Sequence, residues 1–378
     1  MAGALTRQGK EHIRARALDL GFGACGFTSA APLGCGSVLA GWLAARRNGA
    51  MQYLEGDSRR RLEPRMALAG AETAIVVAWP YRPPPRPSLD WRRELTGRVA
   101  AYALGLDYHD RLADRLRELA AHLGELGATA TKVHVDAGPL VEKELARRAG
   151  LGWYGRNTNL LSAPLGSYFL LACLLTDLRI EPDPAFTASH CGSCVDCLSA
   201  CPTGALSSGP TIDAPRCISY LTIEHRGPID LGLRPLVGNW VFGCDLCQEI
   251  CPWNEPATEP VAELAPYLPD LLTLSQEEFS ARYATSAVHR TKRRGLARNA
   301  AVALGNSGNR DAVEPLAGAL RCHDEALVRS HAAWALGRLG GPAAARGLAS
   351  AVRREQVPPV RREIDLALAN DKAKEHPC

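Results

Sequence analysis

Seven cysteines fall in two short runs, CGSCVDCLSACP (191–202) and GCDLCQEICP (243–252). A C-x2-C-x2-C spacing lets three thiolates wrap one iron–sulfur cubane, and a following C-x3-C-P cysteine is directed to a second cluster. Cys191, Cys194, Cys197 and Cys201-Pro202 fit that run. The second run supplies Cys244, Cys247 and Cys251-Pro252 and is one ligand short of the full pattern, and Cys217, in APRCISYL between the runs, fills the vacancy. The spacing therefore predicts two [4Fe–4S] clusters. Cys191, Cys194, Cys197 and Cys251 are expected on the first, and Cys201, Cys217, Cys244 and Cys247 on the second. Paired C-x2-C knuckles also build all-thiolate zinc sites; the triple knuckle with its crossing partner is what favours iron. Cys25, Cys35, Cys173, Cys322 and Cys378 lie outside both runs and read as packing or surface residues.

Ferredoxin-like clusters relay electrons one at a time and do not transform a substrate, so a second cofactor must accompany them. GFGACG (21–26) matches a dinucleotide fingerprint, but it follows a helix and lacks a surrounding βαβ unit. It reads instead as a glycine helix cap leading into a strand. The sequence contains no P-loop, G-x-S-x-G, H-E-x-x-H or D-x-H-x-x-G motif.

The elements that must position these groups divide into three stretches. Over residues 1–185, TAIVVAWP (73–80), TKVHVDAG (131–138) and SYFLLACLLT (167–176) read as strands, and DRLADRLRELAAHLGEL (110–126) as a helix, which together predict an α/β domain. YRPPPRPSLDW (81–91) is too rich in proline for helix interior or central strand and reads as an extended loop. Cysteines and prolines dominate 186–260, the expected metal module. Over 261–378, ARNAAVALG (297–305), VRSHAAWALG (328–337) and VRREIDLALA (360–369) superpose at a shift of 32 positions, which predicts stacked helical pairs of HEAT type. RTKRRGLAR (290–298) brings Arg290, Lys292, Arg293, Arg294 and Arg298 to the start of the first repeat, as either a solvated face or a phosphate contact.

With 378 residues, 46% of them hydrophobic and 22% charged, the chain can build sizeable cores. A net charge of +4 permits an anionic partner without demanding one. The first residues read as an amphipathic helix, not a secretory signal, and no apolar run is long enough to cross a bilayer. Thirteen cysteines in such a chain point to metal binding rather than disulfides, and to a cytoplasmic protein.

VDAGPLVEKELARRAGLGWYGRNTNLL (135–161), LGSYFLLACLLTDL (165–178), the eight-cysteine module and the helical tail, taken in that order, closely resemble the epoxyqueuosine reductase family. YALGLDYHDRL (102–112) and MQYLEGDSRRRLEP (51–64) resemble its N-terminal motifs. The resemblance covers nearly the whole chain. It implies a nitroreductase-like α/β domain that holds cobalamin beside the ferredoxin-like module, and a substrate that is epoxyqueuosine at the wobble position of a tRNA anticodon. The implied reaction is a reductive deoxygenation to queuosine, the final step of queuosine biosynthesis, fed through the clusters by an unidentified low-potential electron donor. A monomer suits a protein gripping one tRNA arm.

Residue by residue, Asp136 matches the family's catalytic proton donor; on sequence alone it would read as a cap of the helix after Pro139. Asp107, Tyr108 and His109 resemble the active-site wall, where they would orient substrate or relay protons. Arg61 (with Arg60 as a register alternative), Asn157 and Asn159 match positions that contact the corrin, and Ser219 and Asp245 stand where the cluster module should face it. Arg156 replaces an expected lysine and keeps the charge. His225, Arg226, Arg290, Lys292, Arg293, Arg294 and Arg298 are the expected tRNA backbone contacts. Two other readings share features of this chain: a corrinoid iron–sulfur reductive dehalogenase, which usually carries an export signal and lacks a helical-repeat tail, and a cobalamin or electron carrier, for which Asp136 would be incidental.

Overall fold

The computed structural model describes residues 5–56, 58–81, 90–136, 138–207, 209–254 and 265–375. Most of the expected proline-rich loop at 81–91 lies outside them. The chain condenses into two units, one of residues 1–83, 107–213 and 246–256, the other of 84–106, 214–245 and 257–378. This division cuts across the cysteine-rich stretch, which supplies both units.

In the first unit, helix α1 (Arg7–Asp19) is capped by the Thr6 side chain and closed at Gly21, whose φ of 90° only glycine adopts freely. Strands β1 (Ala24–Ser29), β2 (Thr73–Pro80), β3 (Thr131–His134) and β4 (Phe169–Thr176) form one sheet of order β1-β2-β4-β3. Each neighbouring pair in it is antiparallel. The alternation of strands and helices that suggested an α/β domain thus yields no parallel βαβ unit: long connections return each strand beside its neighbour in the opposite sense.

Both faces of the sheet are covered. On one, Ile75, Val77 and Leu174 pack with α1 and helix α2 (Tyr108–Glu125), whose Leu112, Leu116, Leu119 and Leu123 form a buried stripe at helical spacing. On the other, Ala74, Val76, Cys173 and Leu175 meet helix α3 (Glu142–Arg148) through Leu145 and Ala146. The last glycine of GFGACG belongs to this second face. A Cβ on Gly26 would come within 2.2 Å of the Ala149 carbonyl oxygen, so the motif serves close packing.

In the second unit a short parallel pair, Arg98–Val99 with Trp240–Phe242, joins the core of a helical array. Helices α4 (Lys292–Ser307), α5 (Val313–Cys322), α6 (Ala326–Leu339), α7 (Pro342–Val352) and α8 (Pro358–Glu375) carry the 32-residue repeat. Leu304 and Leu336 occupy equivalent fully buried positions on α4 and α6, as Leu316 and Leu348 do on α5 and α7. Among the described residues no helix is long and apolar enough to cross a membrane.

Candidate active site and thiolate pocket

Strand β3 ends at His134, which faces Cys173 across the sheet, and the chain then turns sharply at Asp136. Asp136 has φ 50°, a left-handed conformation that costs a residue with a Cβ about 1 kcal/mol, least for Asp and Asn. It caps no helix: α3 begins at Glu142 after Val141. Its side chain is 65% exposed. The Tyr108 hydroxyl donates to Asp136 Oδ2 at 2.8 Å, and His109 Nε2 lies 3.8 Å from the same oxygen. His109 Nδ1 contacts Asp107 Oδ1 at 2.6 Å, and that oxygen also accepts the His109 backbone N–H, which makes Asp107 the N-cap of α2. The four residues form a connected polar chain, Asp107 to His109 to Asp136, with Tyr108 stacked on the imidazole.

Glu142 is a site residue that the sequence reading passed over. Its Oε1 accepts the Asp136 backbone N–H at 3.0 Å. Burial first, then the neighbouring Asp136 carboxylate, push its pKa up to about 8 against the weaker pull of that hydrogen bond. Only its place one residue after an apolar pair, at the start of a helix, marked it in the sequence.

The thiols of Cys191, Cys194, Cys197 and Cys251 line one pocket with Arg156, Asn157, Leu161, Pro252 and Trp253. Gly192, at φ 55°, lets the first knuckle fold back, and Arg156 Nη2 holds its carbonyl at 2.9 Å. Burial raises the Cys197 pKa, and Cys251, Cys191 and Cys194 raise it further, because four sulfurs converge where four negative charges would repel. Among the described residues no three such groups close on a single metal ion, so the four thiols suit a cationic core larger than one ion. Cys201 is not among the lining residues. Burial works against its thiolate, but hydrogen bonds from the Thr203 side chain and from backbone N–H groups of Ala205, Thr203 and Leu206 outweigh it and lower its pKa. Cys201 and Cys247 belong to the first unit, and Cys217 and Cys244 to the second. None of the twelve described cysteines forms a disulfide, and Cys25 and Cys173 are buried in the sheet core.

Arg61 donates to the Tyr53 carbonyl oxygen at 2.9 Å and is half-buried. Asn157 is buried and fully engaged: Nδ2 donates to the Cys247 carbonyl oxygen at 3.3 Å, and Oδ1 accepts the Asn159 N–H at 3.1 Å. Ser219 is half-buried in a short helix, Ile218–Ile223. Asp245 is buried and accepts the Ala101 N–H at 2.6 Å.

The basic run separates into two kinds of residue. Arg298 is fully buried, and its guanidinium donates to the carbonyls of Leu221, His225 and Gly227 and to Asn299 Oδ1. This corrects its expected role as a tRNA contact: no phosphate can reach it, because its donors hold the backbone around α4 together. Arg293 is nearly buried as well, 13% exposed, and pairs with Asp324. Arg290 pairs with Glu224. Arg226 donates to the Thr291 carbonyl oxygen at 3.1 Å and accepts at its own carbonyl from Arg294 Nη2 at 2.7 Å. His225 Nε2 meets the Pro228 carbonyl at 2.9 Å, and burial lowers its pKa, so it adds little positive charge near neutrality. Lys292 and Arg294 are exposed, as is Arg290 despite its ion pair.

Comparison with known proteins covers most of the chain. Residues 61–137 match the family described as epoxyqueuosine reductase QueG, 190–254 a 4Fe-4S double cluster binding domain, and 285–369 HEAT repeats. The epoxyqueuosine reductase of Pseudomonas aeruginosa is 40% identical over 79% of this chain and 86% of its own. The chain belongs to the epoxyqueuosine reductase family. The Bacillus anthracis member is 34% identical over 95% of this chain and 96% of its own. A crystal structure of epoxyqueuosine reductase with an epoxyqueuosine-modified tRNA-Tyr stem loop is 32% identical, covers 97% of this chain and 99% of its own, and superposes at a TM-score of 0.88. A Bacillus subtilis structure, described as having its catalytic aspartate loop swung out of the active site, is 30% identical, covers 96% of this chain and 99% of its own, and superposes at a TM-score of 0.86.

Proposed function

We propose that this chain is an oxidoreductase that converts epoxyqueuosine to queuosine at the wobble position of tRNA anticodons. The observation that carries the reading is the match over 97% of the chain to an epoxyqueuosine reductase solved with the modified stem loop. It favours this reaction over a corrinoid dehalogenase and over a carrier protein.

Turning an epoxide into an alkene consumes two electrons and two protons and releases the oxygen as water. Opening the ring develops alkoxide charge, and hydroxide departs readily only after protonation, so an acid must stand at the oxygen. Asp136 fills that role: its carboxyl is exposed to an incoming nucleotide, and Tyr108 orients one oxygen. His109, with Nε2 3.8 Å from Asp136 and Nδ1 on Asp107, can return a proton to the acid while Asp107 stabilises the imidazolium.

Cys191, Cys194, Cys197 and Cys251 would bind the first [4Fe–4S] cluster, whose iron relieves the repulsion among their thiolates. Cys201, Cys217, Cys244 and Cys247 would bind the second. Cobalamin presents a rim of amides, which the guanidinium of Arg61, the amide of Asn159 and the hydroxyl of Ser219 suit chemically; Asn157 and Asp245, already engaged with backbone groups, would shape the surroundings instead. When bound, cobalamin supplies a strongly reducing cobalt. Lys292 and Arg294, flanked by Arg226, His225 and Arg290, would meet the RNA backbone. On this reading, residues 1–185 are a nitroreductase-like cobalamin domain, 186–260 the ferredoxin-like cluster module and 261–378 the HEAT-like helical repeat domain of a cytoplasmic monomer served by a low-potential electron donor.

The test is anaerobic reconstitution with iron, sulfide and cobalamin, then reaction with epoxyqueuosine-containing tRNA and a strong reductant. Mass spectrometry should find the modified nucleoside lighter by one oxygen. An unchanged nucleoside, zinc in place of iron, or far fewer than eight irons per chain would overturn the proposal.

A further inference from the structure

The loop that carries Asp136 is held from both ends of the aspartate. Tyr108 holds the side chain, and Glu142 holds the backbone through the Asp136 N–H at 3.0 Å. Between them Gly138 lies flat on the His134 ring, where a Cβ would come within 2.5 Å of Nδ1. A left-handed aspartate persists only where its surroundings over-determine it. Of these holds, the one from Glu142 acts on the strained backbone itself.

We propose that Glu142 is a positioning residue that latches the acid loop: by accepting the Asp136 amide proton it keeps the Asp136 carboxyl turned toward Tyr108 and His109. The inference rests on Asp136 being the proton donor. Glu142 is also the titrating member of the latch. The groups around it are Asp136 on the loop and Cys173 on β4, with His134 beside Cys173 in the sheet. Burial, and after it Lys132, lower the His134 pKa to about 4, so that ring is neutral near pH 7. Strands β1 and β2, which also pack on α3, bring no carboxylate, histidine or cation. Near neutrality Glu142 is mostly protonated, and its carbonyl oxygen accepts the amide without setting a second negative charge beside Asp136. Above pH of about 8 it ionises, and repulsion, which outweighs the hydrogen bond, loosens the loop.

The sign for stability follows. A carboxyl whose pKa rises on folding stabilises fully below its unfolded pKa, and that contribution falls away as pH rises toward the folded value of about 8. Glu142→Gln keeps the acceptor and cannot ionise, so its Tm should gain on wild type between pH 5 and 8 and level off above that.

The decisive set is E142Q and E142A in the reconstituted holoenzyme. E142A should lose roughly 10- to 100-fold in kcat with KM for tRNA little changed, as expected when a reacting group is displaced by about 1 Å. E142Q should recover most of that loss at pH 6.5, and its turnover relative to wild type should climb through pH 8. Hydrogen exchange of the peptide spanning 134–142, a readout independent of the reaction, should speed up in E142A and not in E142Q. Wild-type exchange and turnover in E142A would overturn the latch. So would E142Q failing as badly as E142A, or a Tm difference between E142Q and wild type that does not vary with pH. Should E142A not fold, the E142Q pH series alone decides. If the exchange and Tm results hold while neither enzyme deoxygenates the nucleoside, the proposed function fails and the latch stands.

Discussion

The acid loop and the basic run share one feature in sequence: each sets charge just before or at the start of a helix. In the structure they are opposites. At Asp136 the carboxyl is 65% exposed on a strained backbone, while the groups around it, Tyr108, His109 and Glu142, all serve its position. In the run 290–298, Arg298 is fully buried and Arg293 and Arg290 are paired with carboxylates, which leaves Lys292 and Arg294 outward. Formal charge therefore overstates what a surface can offer a partner. A charge that the fold uses for its own carbonyls is structure, whereas one held out against strain is a candidate for chemistry.

Substitutions sharpen this contrast, the largest effect first. Asp136→Asn should lower kcat by about 10²- to 10⁴-fold, the range for loss of a general acid, while iron content and tRNA affinity stay at wild-type values. A variant that still turns over at the wild-type rate would move Asp136 to the structural side. Arg298→Met should leave several carbonyls without partners and destabilise the second unit by about 3–5 kcal/mol, read as a lower denaturation midpoint. If it instead weakened tRNA binding at unchanged stability, the division drawn within the basic run would be wrong. Reversing Lys292 and Arg294 together to Glu should weaken tRNA binding by about tenfold or more and make the salt dependence shallower by about two phosphate contacts, with the melting temperature lowered only slightly by loss of the exposed Arg294 bond to the Arg226 carbonyl. Tyr108→Phe should cost least, about 1 kcal/mol in kcat/KM, since it removes one hydrogen bond to an exposed carboxylate.

Much of this was legible beforehand. Strand β2 occupies 73–80, where the apolar run TAIVVAWP predicted it, and the 32-residue repeat became the helices α4 to α8. Local pattern suffices there, because period and composition are properties of neighbouring residues. The antiparallel sheet was not legible: alternating elements suit either sense of pairing, and β4 takes an inner position between β2 and β3 only when distant strands meet.

The sequence by itself determined which residues could do chemistry. Cysteine spacing picked out the thiols, and the motif around Asp136 picked out the acid. The tertiary structure alone decided which of those groups remain available. It buried Arg298 among carbonyls and set the Glu142 carboxyl on the Asp136 backbone N–H. The physical reason is desolvation: whether a charged group is a ligand, an acid or a strut depends on the water and partners around it, and only the folded chain fixes those.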